Sequence, residues 1–287
     1  MILVSGATGT TGGQVVRHLS ARGADFRALV RSEEKAKSLA EDGVQTVVGD
    51  FESPETLDAA LDGVDHAFLL TPASERQVEL EANFIDAAKR AGVEHVVKLS
   101  VAGADPAAPV RFAVNHAESE QHLKDSGIGY TILQPNGFME NHLAFAGSIA
   151  AKGVFYSSIG EAPISHVAVS DIGASAAVVL TDPGHEGETY ALTGPAALTY
   201  EGDIAPILSE ALGKDVRHQA VSDSDAKEAM LGMGVAEYVV GGLVELFDVY
   251  RAGYAADPQP GVQQATGRDA TPYEQWAKEN RGTLSGG

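Results

Sequence analysis

The chain has 287 residues, 44% of them hydrophobic, enough for one large domain or for a domain with a smaller appendage. It contains no cysteine, which excludes disulfides, thiolate catalysis and zinc–cysteine sites. Forty acidic residues against 20 basic ones give a net charge of −20, a field that repels nucleic acid and anionic membrane.

The first half alternates between two rhythms. "MILVSG" reads as a buried strand, and "TGGQVVRHLSARG" as a helix with Val15, Val16 and Leu19 on one face and Gly23 as its stop. A second strand, "DFRALVR", precedes the helix "SEEKAKSLAEDG"; "VQTVVGD" is the third strand. "SPETLDAALDG" is a helix with Ser53 at its N-cap and Pro54 at its first position. "VDHAFLL" is the fourth strand, residues 75–91 a long helix, "VEHVVKLS" the fifth strand, residues 111–126 a helix and "GYTILQP" the sixth strand. Strands alternating with helices imply an α/β chain with a Rossmann-type, doubly wound parallel sheet.

After Pro135 the rhythm loosens. Residues 137–151 read as helix, "SDIGASAAVVLTD" as a helix capped by Ser170 or Asp171, "ETYALTG" as a strand, and "TYEGDIAPILSEALG" as a helix entered through Thr199. "DVRHQAVS" is a short strand, residues 223–252 are two helices, and "TPYEQWAKEN" is a last helix capped by Thr271. The loop "DPQPG" and a frayed "TLSGG" complete the chain. The expected division is 1–135 as a nucleotide-binding domain and 136–287 as a smaller α+β substrate-binding region, with segments at about 166–195 returning to the main sheet. Apolar runs such as "AFLL" and "AAVVL" are too short to cross a bilayer. "MILVSGATG" carries no basic segment or cleavage site, so the expectation is a cytoplasmic protein.

Chemistry enters at "SGATGTTGG", between the first strand and the first helix. Gly6, Gly9 and Gly12 are three apart, as a tight turn that brings bare backbone to a pyrophosphate at a helix N-terminus requires. Thr8, Thr10 and Thr11 add hydroxyls. Arg31 follows the second strand, where an adenosine ribose lies; its guanidinium suits a 2′-phosphate, so NADP(H) is the expected cofactor. Asp50 and Phe51, after the third strand, suit the adenine, and Thr71 and Pro72, after the fourth, lie along the cofactor.

Together, "GATGTTGG", "LVRS", "VVGDF", "HVVKLSVAGAD", "HAESE", "YTILQPNGFMEN" and the late "TGRDATPYEQWAKEN" resemble the NmrA-like family of atypical short-chain dehydrogenases/reductases. Within it, the likeness is closest to type 2 NAD(P)H:quinone oxidoreductases and similar dye reductases. The resemblance extends the cofactor set to Leu70 and Ser100 and, at the nicotinamide end, to Pro135, Asn136 and Phe138. It implies a reductase acting on an aromatic or quinonoid small molecule, with a homodimer as a further expectation. The family also holds redox sensors, so a non-catalytic NADP(H)-sensing protein is the first alternative; a tailoring enzyme or isomerase is the second.

Typical short-chain dehydrogenases carry Tyr and Lys four apart on the helix after strand five. This chain carries His116 and Glu120 there, and a carboxylate cannot acidify a tyrosine. A quinone needs a hydride and one proton, which His116 could supply with Glu120 orienting the ring or holding the ribose; solvent is the other proton source. With His122 six residues beyond His116 and no third ligand evident, no metal site is expected. Tyr238, Leu243, Leu246, Phe247 and Tyr250 could roof a flat substrate or simply pack. Asn141 and His142 are placed near the cleft mouth, and His166 in the framework between the two parts.

Overall fold

The computed structural model describes residues 1–286; Gly287, the end of the tail expected to fray, lies outside the described residues. One seven-stranded sheet runs in the order β3 (Gln45–Val48), β2 (Phe26–Val30), β1 (Ile2–Val4), β4 (His66–Leu69), β5 (His95–Leu99), β6 (Gly129–Pro135), β8 (Thr189–Leu192). All six pairings are parallel. A parallel sheet is covered on both faces, so its central strands read as near-continuous apolar runs, and Leu3, Val4, Val96, Val97, Ile132 and Leu133 are fully buried.

Helices α1 (Thr10–Ala21) and α7 (Val169–Thr181) cover one face, joined in one core through Val15, Leu19, Ile172 and Ala176. The other face is covered by α3 (Pro54–Leu61), α4 (Gln77–Ala91) and α5 (Arg111–Ser126), through Leu57, Phe84, Ile85 and Leu123. At about 25 cal/mol per Å² of apolar surface removed from water, each such side chain contributes roughly 1.5–3 kcal/mol. Helix α2 (Glu33–Glu41) starts at Ser32, whose hydroxyl accepts from Lys35 N–H. Strand order reverses between β1 and β4, the switch point of a doubly wound sheet.

Beyond β6 the chain builds a second apolar cluster around Ile149, Phe155, Tyr200, Leu208, Tyr273 and Trp276. It holds a two-stranded parallel sheet of β7 (Val154–Ser157) and β9 (Arg217–Ala220), with α6 (Ala146–Lys152), α8 (Ala205–Leu212), α12 (Tyr273–Glu279) and α13 (Arg281–Leu284) around it. Helices α9 (Asp223–Gly232) and α10 (Glu237–Arg251) form a hairpin beside it. Residues 166–195 supply α7 and β8 to the large sheet, and α11 (Gly261–Thr266) packs on both.

Several elements differ from the sequence expectation. Residues 137–151 are not one helix but a 3-10 segment, Met139–Phe145, leading into α6. Strand β7 has only four residues, too few to show a period against its neighbours. The N-cap position of α7 is Ala168, not Ser170 or Asp171: Glu140 reaches back from the 3-10 segment to accept from Val169 N–H. Asp171 instead accepts from the N–H and hydroxyl of Thr271, so Thr271 ties α7 to the chain end and does not cap α12, whose N-cap position is Pro272. Ser53 occupies the N-cap position of α3 without a side-chain cap bond. The tail is not frayed at residue 284, because Leu284 is fully buried in the second cluster.

Two histidines in that cluster set an acid limit on stability. His142 and His166 lie with ring centroids 4.8 Å apart; His142 Nδ1 is 3.1 Å from the Tyr273 hydroxyl, while His142 Nε2 and His166 Nδ1 have no partner. Burial pushes His166 down to about 4 and His142 well below the ordinary value of 6.5. The fold therefore holds neutral rings; this contribution is full above about pH 6.5 and is lost as pH falls toward 4. For His166 alone the loss is on the order of 3 kcal/mol. Urea unfolding at pH 7 and pH 4.5 should show that decline, and His166→Gln should flatten it. An equal decline in the variant would refute the assignment. Burial raises the Glu140 and Asp171 carboxyls, which act in the opposite sense, so the comparison must be between the two proteins.

Candidate active site

The carboxyl ends of β1 to β6 bring the sequence-predicted cofactor residues to one edge of the sheet. Gly6 has φ +67°, a left-handed turn open to glycine, and a Cβ there would lie 2.5 Å from Leu70 Cδ2. Gly9 N–H donates to Gly6 O at 2.9 Å and occupies the N-cap position of α1. No side chain caps α1, so its first-turn N–H groups point at whatever lies before the helix. A Cβ at Gly12 would overlap the Gly6 carbonyl oxygen and sit 2.5 Å from its carbon and 2.9 Å from Ala7 N. Thr8 and Thr10 are exposed and Thr11 is buried. Ser5 Oγ, 2.9 Å from Phe68 O and accepting from Leu70 N–H at 2.8 Å, ties the ends of β1 and β4 together.

Arg31 stands exposed at the end of β2 and pairs with no carboxylate among the described residues. Asp50 closes its own turn, Oδ1 accepting from Glu52 N–H at 3.0 Å, and keeps its second oxygen clear of that turn. Phe51 packs on Phe84 with centroids 4.9 Å apart. Thr71 donates to Glu81 Oε1 at 2.6 Å, and Pro72 is exposed. At the far end Pro135 and Asn136 are buried. The Asn136 amide donates to Ser165 Oγ and Ala255 O at 3.0 Å and accepts from Gly137 N–H, so its polar atoms are already engaged. Phe138 packs against the α1/α7 core.

His116 and Glu120 follow each other on α5 but diverge. Glu120 is buried and accepts from Ser100 Oγ at 2.5 Å, Gln134 Nε2 at 2.8 Å and Lys124 Nζ at 3.2 Å. It anchors the tips of β5 and β6 to the helix. His116, half-buried, turns toward α4, and its Nδ1 lies 3.0 Å from Lys98 Nζ. Lys98 is fully buried and pairs at 2.8 Å with Glu81, also fully buried; its third contact is Leu99 O at 3.2 Å. Gln77 completes the group, its amide 3.1 Å from His116 Nε2. Burial and then the Lys98 ammonium push His116 down to about 3, against the pull of Glu81. Burial alone would raise the Glu81 carboxyl, but Lys98, His116 and Thr71 hold it below its ordinary range.

Lys98, Glu81 and Gln77 escaped the sequence reading. The signal was there: a lysine inside "HVVKLS", a strand otherwise apolar and central in the sheet, needs a buried counter-ion. His142 was placed at the cleft mouth and is instead buried among Phe145, His166, Tyr200, Tyr273 and Trp276, while Asn141 is exposed. His122 bonds Asp86 at 2.9 Å on the outer side of α5. Helix α10 packs on the start of α5: Arg111 pairs with Glu245 and lies 5.1 Å over the Tyr238 ring, and Asn115 donates to the Tyr238 hydroxyl at 2.7 Å. Leu246, Phe247 and Tyr250 belong to the second cluster. A hollow of about 410 Å³ lies at the opposite edge of the sheet, lined partly by Met1, Asp25, Asp65 and Glu94, and its acidic rim repels a dinucleotide.

The NmrA-like family model matches residues 1–277. An NAD(P)H azoreductase of Xenophilus azovorans is 43% identical over 278 residues, 97% of each chain. The structure of a Citrobacter sp. triphenylmethane reductase complexed with NADP(H) superposes with a TM-score of 0.87 at 29% identity, covering 98% of this chain and 100% of that one. An NADPH-dependent quinone oxidoreductase from Escherichia coli, complexed with NADPH, gives 0.87 at 31% identity, over 97% and 99%. With an uncapped helix behind a glycine turn, a switch-point crevice and these likenesses over nearly its whole length, the chain belongs to the NmrA-like family.

Proposed function

We propose that this protein is an NADPH-dependent reductase that passes a hydride to a quinone-like or otherwise conjugated electrophile. The observation that carries the reading is the phosphate cradle: bare backbone from Gly6 to Gly12, so tight that a Cβ at Gly12 has no room, at the uncapped start of α1. The unpaired guanidinium of Arg31 fits a 2′-phosphate and supplies positive charge against a net −20. Relatives that act on azo and triphenylmethane dyes and on quinones support an extended, electron-poor acceptor.

A bound nicotinamide supplies the hydride. The chain's own residues hold and orient. Gly6–Gly12 grips the diphosphate; Arg31, Asp50 and Phe51 surround the adenosine end; Leu70, Thr71, Pro72 and Ser100 line the route to Pro135, Asn136 and Phe138. Glu120 fixes Ser100 and Gln134 and acts by positioning them. His116 contacts substrate or cofactor as a neutral ring; a group held near 3 is not protonated at neutral pH, so the product anion takes its proton from solvent. In this reading residues 1–135 bind NADP(H) and 136–287 shape the substrate side, with about 166–195 belonging to the large sheet. A cytoplasmic setting and a homodimer belong to the same reading.

The test is NADPH oxidation in the presence of a panel of quinones, an azo dye and a triphenylmethane dye. Rates that scale with protein support the reading. Tight NADPH binding with no turnover on any acceptor overturns it in favour of a sensor. In the same assay Arg31→Ala should weaken NADPH by about 10- to 100-fold and leave NADH unchanged, the loss of one charge-assisted contact of about 1.5–3 kcal/mol.

A further inference from the structure

The buried group behind α5 has a chemical logic that the hydride transfer does not require. An ammonium is a donor only, so the contact between Lys98 Nζ and His116 Nδ1 at 3.0 Å makes Nδ1 the acceptor. The neutral imidazole then carries its proton on Nε2. The Gln77 amide nitrogen lies 3.1 Å from Nε2 and 3.3 Å from Nδ1, across the ring and not in line with that N–H, and it donates to Glu81 Oε1 at 3.4 Å, so Nε2–H is not committed to Gln77. The ammonium also forms an ion pair with Glu81 Oε2 at 2.8 Å and donates to Leu99 O at 3.2 Å, and Thr71 donates to Glu81 from the tip of β4. A chain of contacts thus runs from Thr71, on the cofactor route, through Glu81 and Lys98 to His116.

We propose that Lys98 is a positioning residue for the reductase reaction: its ammonium, held from behind by Glu81, fixes His116 as the neutral tautomer protonated on Nε2, so that the ring meets the substrate side as an uncharged hydrogen-bond donor. The proposal rests on the reductase reading given above. The groups facing the ring agree with it. Lys98 faces it from β5, and Glu81 and Gln77 face it from α4. Helix α10 brings Tyr238 and Glu245 to the same stretch of α5, where Asn115 and Arg111 engage them. On α5 itself Glu120 turns away to Ser100, Gln134 and Lys124. Among the described residues Lys98 is thus the one cation in direct contact with the ring, and its charge opposes a second proton there. A neutral donor with a fixed tautomer can polarise a carbonyl or quinone oxygen at any pH at which the fold is intact, which a titrating histidine cannot.

Nitrogen-15 NMR of the imidazoles tests the assignment. In the wild type His116 should show the Nε2–H tautomer and no titration above about pH 5. Lys98→Met alone strands a buried carboxylate, so the double variant Lys98→Met/Glu81→Gln, which removes both charges, is the working probe. There the tautomer should become mixed, and the titration should move up by about one pH unit or more. The kcat/KM profile for quinone reduction should be flat from about pH 5.5 to 8 in the wild type and should bend in the double variant at the pH where the ring titrates. A wild-type ring protonated on Nδ1, or titrating near 6.5, overturns the proposal. So does an NMR change with no change in the rate profile, since the ring then does not meet substrate; steady NADPH oxidation in that case leaves the reductase reading intact. Absence of NADPH oxidation by the wild type overturns that reading itself, a result distinct from a flat profile.

Discussion

Alanine at Gly12 should abolish useful NADPH binding, raising Kd by about 100-fold or more, while alanine at the neighbouring Gly13 should bind as the wild type does. The two positions are adjacent, both in the first turns of α1, and the substitution adds one methyl group in each. The difference lies in what the methyl meets. At Gly12 it overlaps Gly6 O and sits 2.5 Å and 2.9 Å from two further backbone atoms, Gly6 C and Ala7 N. Backbone cannot step aside as a side chain can, and Gly6 is already committed to φ +67° with Leu70 against it. The loop must open, which separates the donors aimed at the diphosphate; about 2.7 kcal/mol of binding corresponds to the 100-fold loss. At Gly13 the nearest atom is Ala7 O at 3.6 Å, an ordinary contact, and a helix interior gains from alanine by up to about 1 kcal/mol. Calorimetric titration with NADPH, beside thermal unfolding of each variant, checks both halves. Equal binding by the two variants would show that the cradle is not the phosphate site.

That contrast also shows where sequence reasoning reaches and where it stops. The glycine spacing between a strand and a helix declares a tight turn, and alternating elements declare a parallel sheet, because both are local patterns repeated against one dominant demand, burial on two faces. The boundaries of α5 and β6 match the expectation to the residue for the same reason: Gly127 ends the helix in a left-handed turn and Pro135 ends the strand. Strand β7 and helices α11 and α13 were not legible, since four to six residues carry no readable period and their stability comes from packing on distant segments. Caps failed in the same way. Ser170 and Thr271 are good cap residues, yet Ala168 and Pro272 hold the cap positions, and the side chain that accepts from the start of α7 is Glu140, through a contact that only the tertiary fold creates. At the site, residue types pointed to His116 and Glu120 as a pair on one face. What divides them is the sheet beneath: Ser100 and Gln134 draw Glu120, whereas Lys98 and Gln77 draw His116. A helical wheel shows neither.

The buried pair Lys98–Glu81 should behave as a unit in unfolding experiments. Both side chains have no exposed surface, so each charge depends on the other for its stability in the core. Removing one partner strands the other: Lys98→Met leaves the Glu81 carboxylate with Thr71 and Gln77 as its remaining contacts, and Glu81→Gln leaves the ammonium with only Leu99 O and the imidazole. Each single change should cost about 3–5 kcal/mol. The double variant should cost far less than the sum, because no uncompensated charge remains and methionine fills much of the lysine volume. Urea unfolding of the wild type, both single variants and the double variant gives the coupling directly, expected at about 2 kcal/mol or more. Additive losses would show two separate sites. A double variant nearly as stable as the wild type carries the sharper consequence. A salt bridge that the core can do without for stability, in contact with the His116 ring, owes its place in the strand to what it does to that ring.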